Sequence, residues 1–163
     1  MNYLFTFVFF LTLTFDSYGR EIFNYQKLLK GSPYEKEEAL KDKIVVFEWF
    51  NKGCPFVKKF YLSNKMQELQ DKWTKKEDLV WISVISSKKG KQGYESNSQS
   101  IKTRKEWSIK SSYTHLDIDG KLGRHFGAVT TPHIYILKNN KVLYEGAIDS
   151  IPNTEEIDIP KAK

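Results

Sequence analysis

Residues 44–57 read IVVFEWFNKGCPFV, and this stretch decides the fold. Residues 44–50 form a β-branched and aromatic run, which predicts a strand that is buried on both faces. The Asn-Lys-Gly sequence that follows is typical of a turn, and Cys54-Pro55 opens the next element. Proline has a fixed φ and no N–H, so it suits the first position of a helix. The sequence therefore predicts a strand, a turn and a helix that begins at Cys54.

The segment after Pro55 is helical by its spacing. Apolar residues at i and i+4 form a stripe that comprises Phe56, Val57, Phe60 and Tyr61. Ser63-Asn64 interrupts this helix, and Asn64 is predicted to cap a second segment. The buried side of that segment is predicted to comprise Met66, Leu69 and Trp73.

The rest of the chain alternates between strand and helix patterns. A second strand is predicted over residues 79–85, an exposed loop over 86–100, helical spacing over 101–110 and a short helix over 122–126. A hairpin is predicted to pair residues 133–137 with 142–148 through Asn139-Asn140, since asparagine tolerates positive φ. This order predicts an α/β sandwich with a mixed sheet.

Length and composition predict one domain without an intrachain disulfide bond. The 163 residues suffice for one core, and a single cysteine allows no intrachain disulfide. The aromatic content of 15% excludes a wholly disordered chain. The basic charge comes from 23 Lys and only 3 Arg, scattered among acids, whereas nucleic-acid sites favour clustered Arg. We interpret the charge as a solvated surface and expect no nucleic-acid partner.

The chain is predicted to have three parts. Residues 1–19 contain an apolar run that ends in Ser-Tyr-Gly, which is typical of a secretory signal and predicts a periplasmic or secreted protein. The run contains no Lys or Arg, so an uncleaved anchor is the alternative. Without this segment the chain has 26 basic and 19 acidic residues, a net charge of +7, and no stable membrane insertion is expected. Residues 20–43 are predicted to be a lead-in, and residues 44–163 to be the folded domain.

Cys54 is the strongest candidate for chemistry. A thiol at the start of a helix faces unpaired backbone N–H groups and the positive end of the helix dipole, which favour the thiolate. Lys52, Lys58 and Lys59 add positive potential. These surroundings are typical of a nucleophilic cysteine. The alternative is a buried, inert cysteine.

Six further motifs follow one another from residue 44 to the end of the chain: EWFNKGCPFVKKFY at 48–61, NKMQ at 64–67, GKQG at 90–93, DIDGKLGR at 117–124, TTPH at 130–133 and YEGAID at 144–149. In these motifs and their order the sequence resembles the thioredoxin-like superfamily, in particular the redoxin branch of alkyl hydroperoxide reductase and thiol-specific antioxidant proteins, as a one-cysteine Cys-Pro-Phe-Val member.

The resemblance implies a three-layer sandwich with a mixed central sheet and a C-terminal hairpin. It also implies that Pro132 is a cis-proline facing Cys54, with the Thr131 backbone placed to pair with a substrate or extended partner. Trp49 would line the thiol pocket with Pro55 and Phe56, or would pack beneath it.

This sequence departs from the family at several positions. Val57 stands where dithiol oxidoreductases have a resolving cysteine, so redox cycling within one chain is excluded. Phe47 and Asn51 stand where peroxiredoxins have proline and threonine, although Asn51 could donate a hydrogen bond to a thiolate or peroxide. The peroxiredoxin arginine has no clear counterpart. The final helix and tail that the resemblance implies are missing, so the sequence looks truncated or tail-less.

No metal, cofactor, phosphate-loop or Ser/His/Asp pattern is predicted. Asp117 and Asp119 are better explained by a turn than by a calcium loop, and the three His residues are too dispersed for zinc.

The sequence is compatible with two functions. In the first, a thiol-dependent antioxidant or oxidoreductase uses Cys54 to attack a peroxide or a disulfide, and an external thiol or protein thiol recycles it. In the second, a non-enzymatic thioredoxin-like module binds an extended peptide beside Pro132.

Overall fold

The computed structural model describes residues 20–161, so the predicted signal segment lies outside the described residues. A five-stranded sheet forms the centre of the molecule, with strand order β3-β2-β1-β4-β5. The strands are β1 (Ile44–Trp49), β2 (Leu79–Ile85), β3 (Tyr113–Leu116), β4 (His133–Lys138) and β5 (Lys141–Gly146). β1 is parallel to β2 and antiparallel to β4, so the predicted mixed sheet is confirmed.

The helices are α1 (Pro55–Leu62), α2 (Lys65–Thr74), α3 (Asn97–Glu106) and α4 (Lys121–Phe126). Short 3₁₀ helices lie at Tyr25–Leu28, Glu37–Leu40 and Glu156–Lys161. None of the helices among residues 20–161 is both long enough and apolar enough to cross a membrane.

Side chains of β1 alternate between two hydrophobic clusters, one on each face of the sheet. Phe47 and Trp49 point to the first cluster, where they pack with α4 and with residues of the lead-in. Val46 points to the second cluster, which contains the buried side of α1. The two clusters and the sheet between them make the predicted three-layer sandwich.

The break between α1 and α2 is confirmed, but its cause differs from the prediction. Asn64 makes no side-chain capping bond; its φ of 63° turns the chain instead. The buried side of α2 is also different. Met66 is fully buried, whereas Leu69 and Trp73 are 36% and 40% exposed.

Gln70 explains this difference, because its buried amide donates to side-chain oxygens on β1 and α1 at 2.8–2.9 Å. Polar residues thus occupy part of the buried side of α2, where hydrophobic spacing predicted apolar ones.

The segment between β2 and β3 also departs from the prediction. The sequence predicts a loop over residues 97–100, but α3 begins at Asn97 because Ser96 and Gln99 form a capping box. The helix then ends before Trp107, and Ile101 is 61% exposed. Strand β3 was not predicted; it pairs in parallel with β2.

The C-terminal hairpin is confirmed. Asn139 and Asn140 both have positive φ, 48° and 66°, as a tight primed turn requires. The lead-in packs against this hairpin: the Val142 N–H donates to the Arg20 carbonyl, and the Ile22 N–H donates to the Asn140 carbonyl, both at 2.8 Å.

Candidate functional site

Cys54 lies at the junction between β1 and α1. It is the N-cap residue of α1, and Pro55 occupies the first turn. The thiol is half-buried and packs at the margin of the second hydrophobic cluster. Its Sγ donates a hydrogen bond to the Thr131 carbonyl at 3.0 Å. The residue therefore lies at the helix N-terminus, makes no side-chain capping bond there, and points its thiol to the loop before β4.

The loop before β4 contains the residues that the resemblance placed opposite the thiol. The Thr131–Pro132 peptide bond is cis. Pro132 is buried, and Thr131 is half-buried. Thr131 and Cys54 thus meet across the site although 77 residues separate them.

Asn51 shapes the turn before Cys54. Its Oδ1 accepts a hydrogen bond from the Gly53 N–H at 2.8 Å, and its carbonyl accepts from the Cys54 N–H at 2.9 Å. Gly93 packs directly on this side chain: a Cβ there would lie 2.4 Å from Asn51 Cγ, and its φ is +79°. The side-chain oxygen of Asn51 is thus used inside the turn.

Trp49, Pro55 and Phe56 take different places around the thiol. Pro55 and Phe56 are exposed at the start of α1, next to Cys54. Trp49 is 3% exposed and belongs to the cluster on the other face of the sheet. Its indole N–H donates to Ser86 Oγ at 3.0 Å. Trp49 packs under the sheet and does not share a surface with Phe56.

Glu48 is a buried acid that the sequence interpretation missed. It lies on the face of β1 that α1 and α2 cover, and it is fully buried. Its oxygens accept hydrogen bonds from Tyr61 Oη at 2.8 Å and from Gln70 Nε2 and Trp81 Nε1 at 2.9 Å. The signal in the sequence that could have identified Glu48 is its position as the single acid within the apolar run of residues 44–50.

Burial governs the ionisation of this group. It raises the pKa of Glu48, although the hydrogen bonds from Tyr61, Trp81 and Gln70 work in the opposite direction. The pKa of Tyr61 is well above its usual value because the phenol is buried and faces Glu48. The pair favours the protonated forms of both groups.

His133 follows the cis-proline in β4. The residue is 9% exposed and its Nδ1 has no hydrogen-bond partner among the described residues. Burial lowers its pKa, which Glu145 partly offsets. In residues 20–161, no group of three or more His, Cys, Asp or Glu side chains is placed to hold a metal ion.

Comparison with known proteins supports the architecture. No protein-family model matches the chain, and comparison with curated proteins found no match. A solved structure of a conserved protein from Geobacillus kaustophilus superposes with a TM-score of 0.65 and 22% identity, over 83% of this chain and 71% of that chain.

Two further structures name the fold. A thioredoxin-like protein in its oxidised form matches at a TM-score of 0.57 with 18% identity, over 77% of this chain and 82% of that chain. The thioredoxin domain of a thiol-disulfide oxidoreductase from Bacteroides vulgatus matches at 0.50 with 15% identity, over 67% and 73%. The fold is therefore thioredoxin-like, as the sequence predicted.

Proposed function

We propose that the protein is a thiol oxidoreductase in which Cys54 is the sole nucleophile. The contact between the Cys54 thiol and the Thr131 carbonyl, at the start of α1, carries this proposal. The similarity in fold to an oxidised thioredoxin-like protein and to a thiol-disulfide oxidoreductase supports it.

The reaction needs a thiol from outside the chain. The Cys54 thiolate attacks one sulfur of a disulfide; a Cys54–S–S bond forms, and the other half leaves as a thiolate with the electron pair. Val57, which occupies the resolving position, is completely buried and has no thiol. A second, external thiolate must therefore attack the mixed disulfide and release Cys54.

A peroxide is the alternative oxidant. The thiolate would attack the O–O bond, giving a sulfenic acid on Cys54 and an alcohol or water. An external thiol would then condense with the sulfenic acid and release water, and a second thiol would reduce the mixed disulfide.

Intact-mass analysis separates these possibilities. The protein starting at Arg20 is exposed to hydrogen peroxide with a sulfenic-acid trap or, separately, to cystine. Disulfide exchange gives a cysteine adduct on Cys54, peroxide reaction gives the trapped sulfenic acid, and Cys54→Ser gives neither. Failure of the wild-type protein to form either adduct would contradict the proposal and leave the peptide-binding module as the function to test.

Export is the second part of the proposal. We infer that residues 1–19 are removed as a signal and that the mature chain starts at Arg20, with residues 20–43 as lead-in to the domain over 44–163. The apolar run in residues 3–15 supports this. Expression of the full chain in a bacterium, with the N-terminus of the accumulated product determined by mass spectrometry, tests it. An intact residue 1 in a membrane fraction would favour the anchor.

A further inference from the structure

A cleft of about 480 Å³ opens beside the cysteine turn. Gly53 and Lys58 form one wall, and residues from the end of the 86–96 segment and from α3 form the other. The Gln92 side chain holds the two walls together, because its Nε2 donates to the Gly53 carbonyl at 3.2 Å. The volume lies within the range of small-molecule sites. Gly53 in the cleft wall is the chain neighbour of Cys54, whose thiol points towards the Thr131 carbonyl beyond the cleft.

Glu95 is one of the residues that line this cleft, and one of its carboxylate oxygens is buried without a hydrogen-bond partner in the described part of the chain. The residue is only 6% exposed. Its Oε1 accepts a hydrogen bond from Thr103 Oγ1 at 2.7 Å, but its buried Oε2 has no partner among residues 20–161. A buried carboxylate oxygen without a donor is unfavourable. The arrangement therefore indicates a donor that arrives with a ligand, and an ammonium group matches the charge.

The cleft also presents cations that are not fully used. Lys52 is occupied, since its Nζ contacts Glu106 Oε2 at 3.0 Å and Thr103 Oγ1 at 3.3 Å. Lys102 makes only a 3.6 Å ion pair with Glu106, and its side chain is 75% exposed. Lys58 is exposed and forms no ion pair within the part of the chain that the structure describes. Lys58 and Lys102 can therefore bind a carboxylate.

We propose that this cleft binds the external thiol that reacts with Cys54, and that this thiol is an amino-acid or short-peptide thiol. Its ammonium would bind Glu95, and its carboxylate would bind Lys58 and Lys102. The inference rests on the proposed oxidoreductase function and names its thiol class. In the reaction the Cys54 thiolate attacks the disulfide form of the ligand. The Cys54–ligand S–S bond forms, the ligand's own S–S bond breaks, and the second half leaves as a thiolate that takes a proton from solvent.

Rates of thiol exchange test the preference. The protein from Arg20 is first labelled with 5,5′-dithiobis(2-nitrobenzoate), which places a coloured leaving group on Cys54. Attack of an added thiol on Cys54 Sγ forms the same Cys54–ligand disulfide and releases the coloured thiolate. The four probes are cysteinylglycine, cysteamine without a carboxylate, 3-mercaptopropionate without an ammonium, and 2-mercaptoethanol without either. Each rate is divided by that of the same probe with the free reagent, which removes intrinsic reactivity.

Cysteinylglycine should react about tenfold faster than 2-mercaptoethanol after this correction, a size expected from one buried charge-assisted hydrogen bond. Glu95→Gln should remove the advantage of the ammonium-bearing probes. Lys58→Gln with Lys102→Gln should lower the advantage of the carboxylate-bearing probes about threefold, as for exposed ion pairs. The matched controls are Glu68→Gln and Lys72→Gln, exposed residues on α2 outside the cleft.

The two proposals fail in different ways. If the reagent does not label Cys54 in the folded protein, the oxidoreductase function and the cleft assignment are both overturned. If Cys54 is labelled but the four probes show equal corrected rates, or the cleft variants keep the wild-type ratios, only the cleft assignment is overturned. Glu95 is buried, so Glu95→Gln can disturb folding. Lys102→Gln changes an exposed residue and tests the cleft without that risk.

Discussion

The Sγ of Cys54 lies 3.0 Å from the carbonyl oxygen of Thr131 and donates to it. The first residue ends the turn after β1, and the second precedes β4, so pairing of these adjacent antiparallel strands brings them together. The fold, rather than any local motif, assembles this contact.

Replacing the thiol tests how much this contact matters to stability. Cys54→Ser keeps a donor for the Thr131 carbonyl, so its free energy of unfolding should stay within about 0.5 kcal/mol of wild type; Cys54→Ala loses the donor and should fall by about 1 kcal/mol. Urea denaturation followed by circular dichroism measures both. Equal stability of the Ala and Ser variants would show that the hydrogen bond contributes nothing.

The packing of Gly93 on Asn51 predicts a coupled pair of substitutions. Gly93→Ala should destabilise the fold by about 2–4 kcal/mol, because it combines a positive φ with a clash on the Asn51 side chain. Asn51→Ala alone should cost about 1 kcal/mol through the lost bond to the Gly53 N–H.

In the double variant the clash is absent, so the sum of the single effects should exceed the double effect by about 1 kcal/mol or more. A double-mutant cycle in urea measures this coupling, with Gly90→Ala as a control: Gly90 also has positive φ, but a Cβ there meets nothing within 4 Å. Strict additivity of the Asn51 and Gly93 effects would contradict the prediction.

Glu48 predicts a pH dependence of stability. Because burial raises its pKa in the folded chain above the usual value of 4.5, the folded state holds this proton more tightly than the unfolded state does. Its contribution to the free energy of unfolding is therefore fully present below pH 4.5 and is lost as the pH rises through the folded pKa.

The slope from this single proton is at most about 1.4 kcal/mol per pH unit. It should be absent from Glu48→Gln, whereas Glu68→Gln on the exposed side of α2 should keep it. Urea titrations at half-unit pH intervals from 4 to 8 provide the comparison. A Glu48→Gln profile parallel to the wild type would rule out a raised pKa.

The buried ion pair between Lys59 and Asp149 ties the C-terminal segment to α1. The Lys59 side chain is 1% exposed, and its Nζ lies 2.8 Å from Asp149 Oδ2. Asp149→Asn leaves the buried Lys59 ammonium without a negative charge beside it and should lower the free energy of unfolding by about 3 kcal/mol. Lys59→Met removes the cation and should lower the free energy of unfolding by less.

Thermal unfolding shows which of the two variants is the more stable. Limited proteolysis reports the release of residues 147–161, which the Asp149 variant should lose faster than wild type. A Lys59→Met variant less stable than Asp149→Asn would contradict this account.

Local patterns predicted the central strands and the hairpin, because their signals are local. The two central strands are indicated by β-branched runs at residues 44–50 and 79–85, and the hairpin turn is indicated by its two asparagines. Each of these signals depends only on residues that are close in sequence. Strand β3 has only four residues, of which one is buried, so its pairing with β2 was not visible in the sequence. Leu69 and Trp73 have helical spacing, but buried polar contacts replace them on α2.

The residues of the candidate site also fall into two groups, those that the sequence predicts and those that only the fold shows. Cys54 and Thr131-Pro132 could be identified from motifs, since a cysteine before proline and the family resemblance mark them. The contacts of Asn51 with Gly93, of Glu48 with Trp81 and of Glu95 with Thr103 depend on how distant segments pack. The spacing of residues in the sequence does not show which carboxylate oxygen lacks a hydrogen-bond donor in the folded chain.

The short pairing of the lead-in with the hairpin has a consequence for solubility. β5 is the last strand of the sheet, and its free backbone groups would otherwise be available to strands from other molecules. Residues 20–22 occupy those groups at the hairpin end of the strand. A chain trimmed beyond Ile22 would therefore present an open template for intermolecular β-pairing, whereas one that begins at Arg20 keeps this end of the strand shielded.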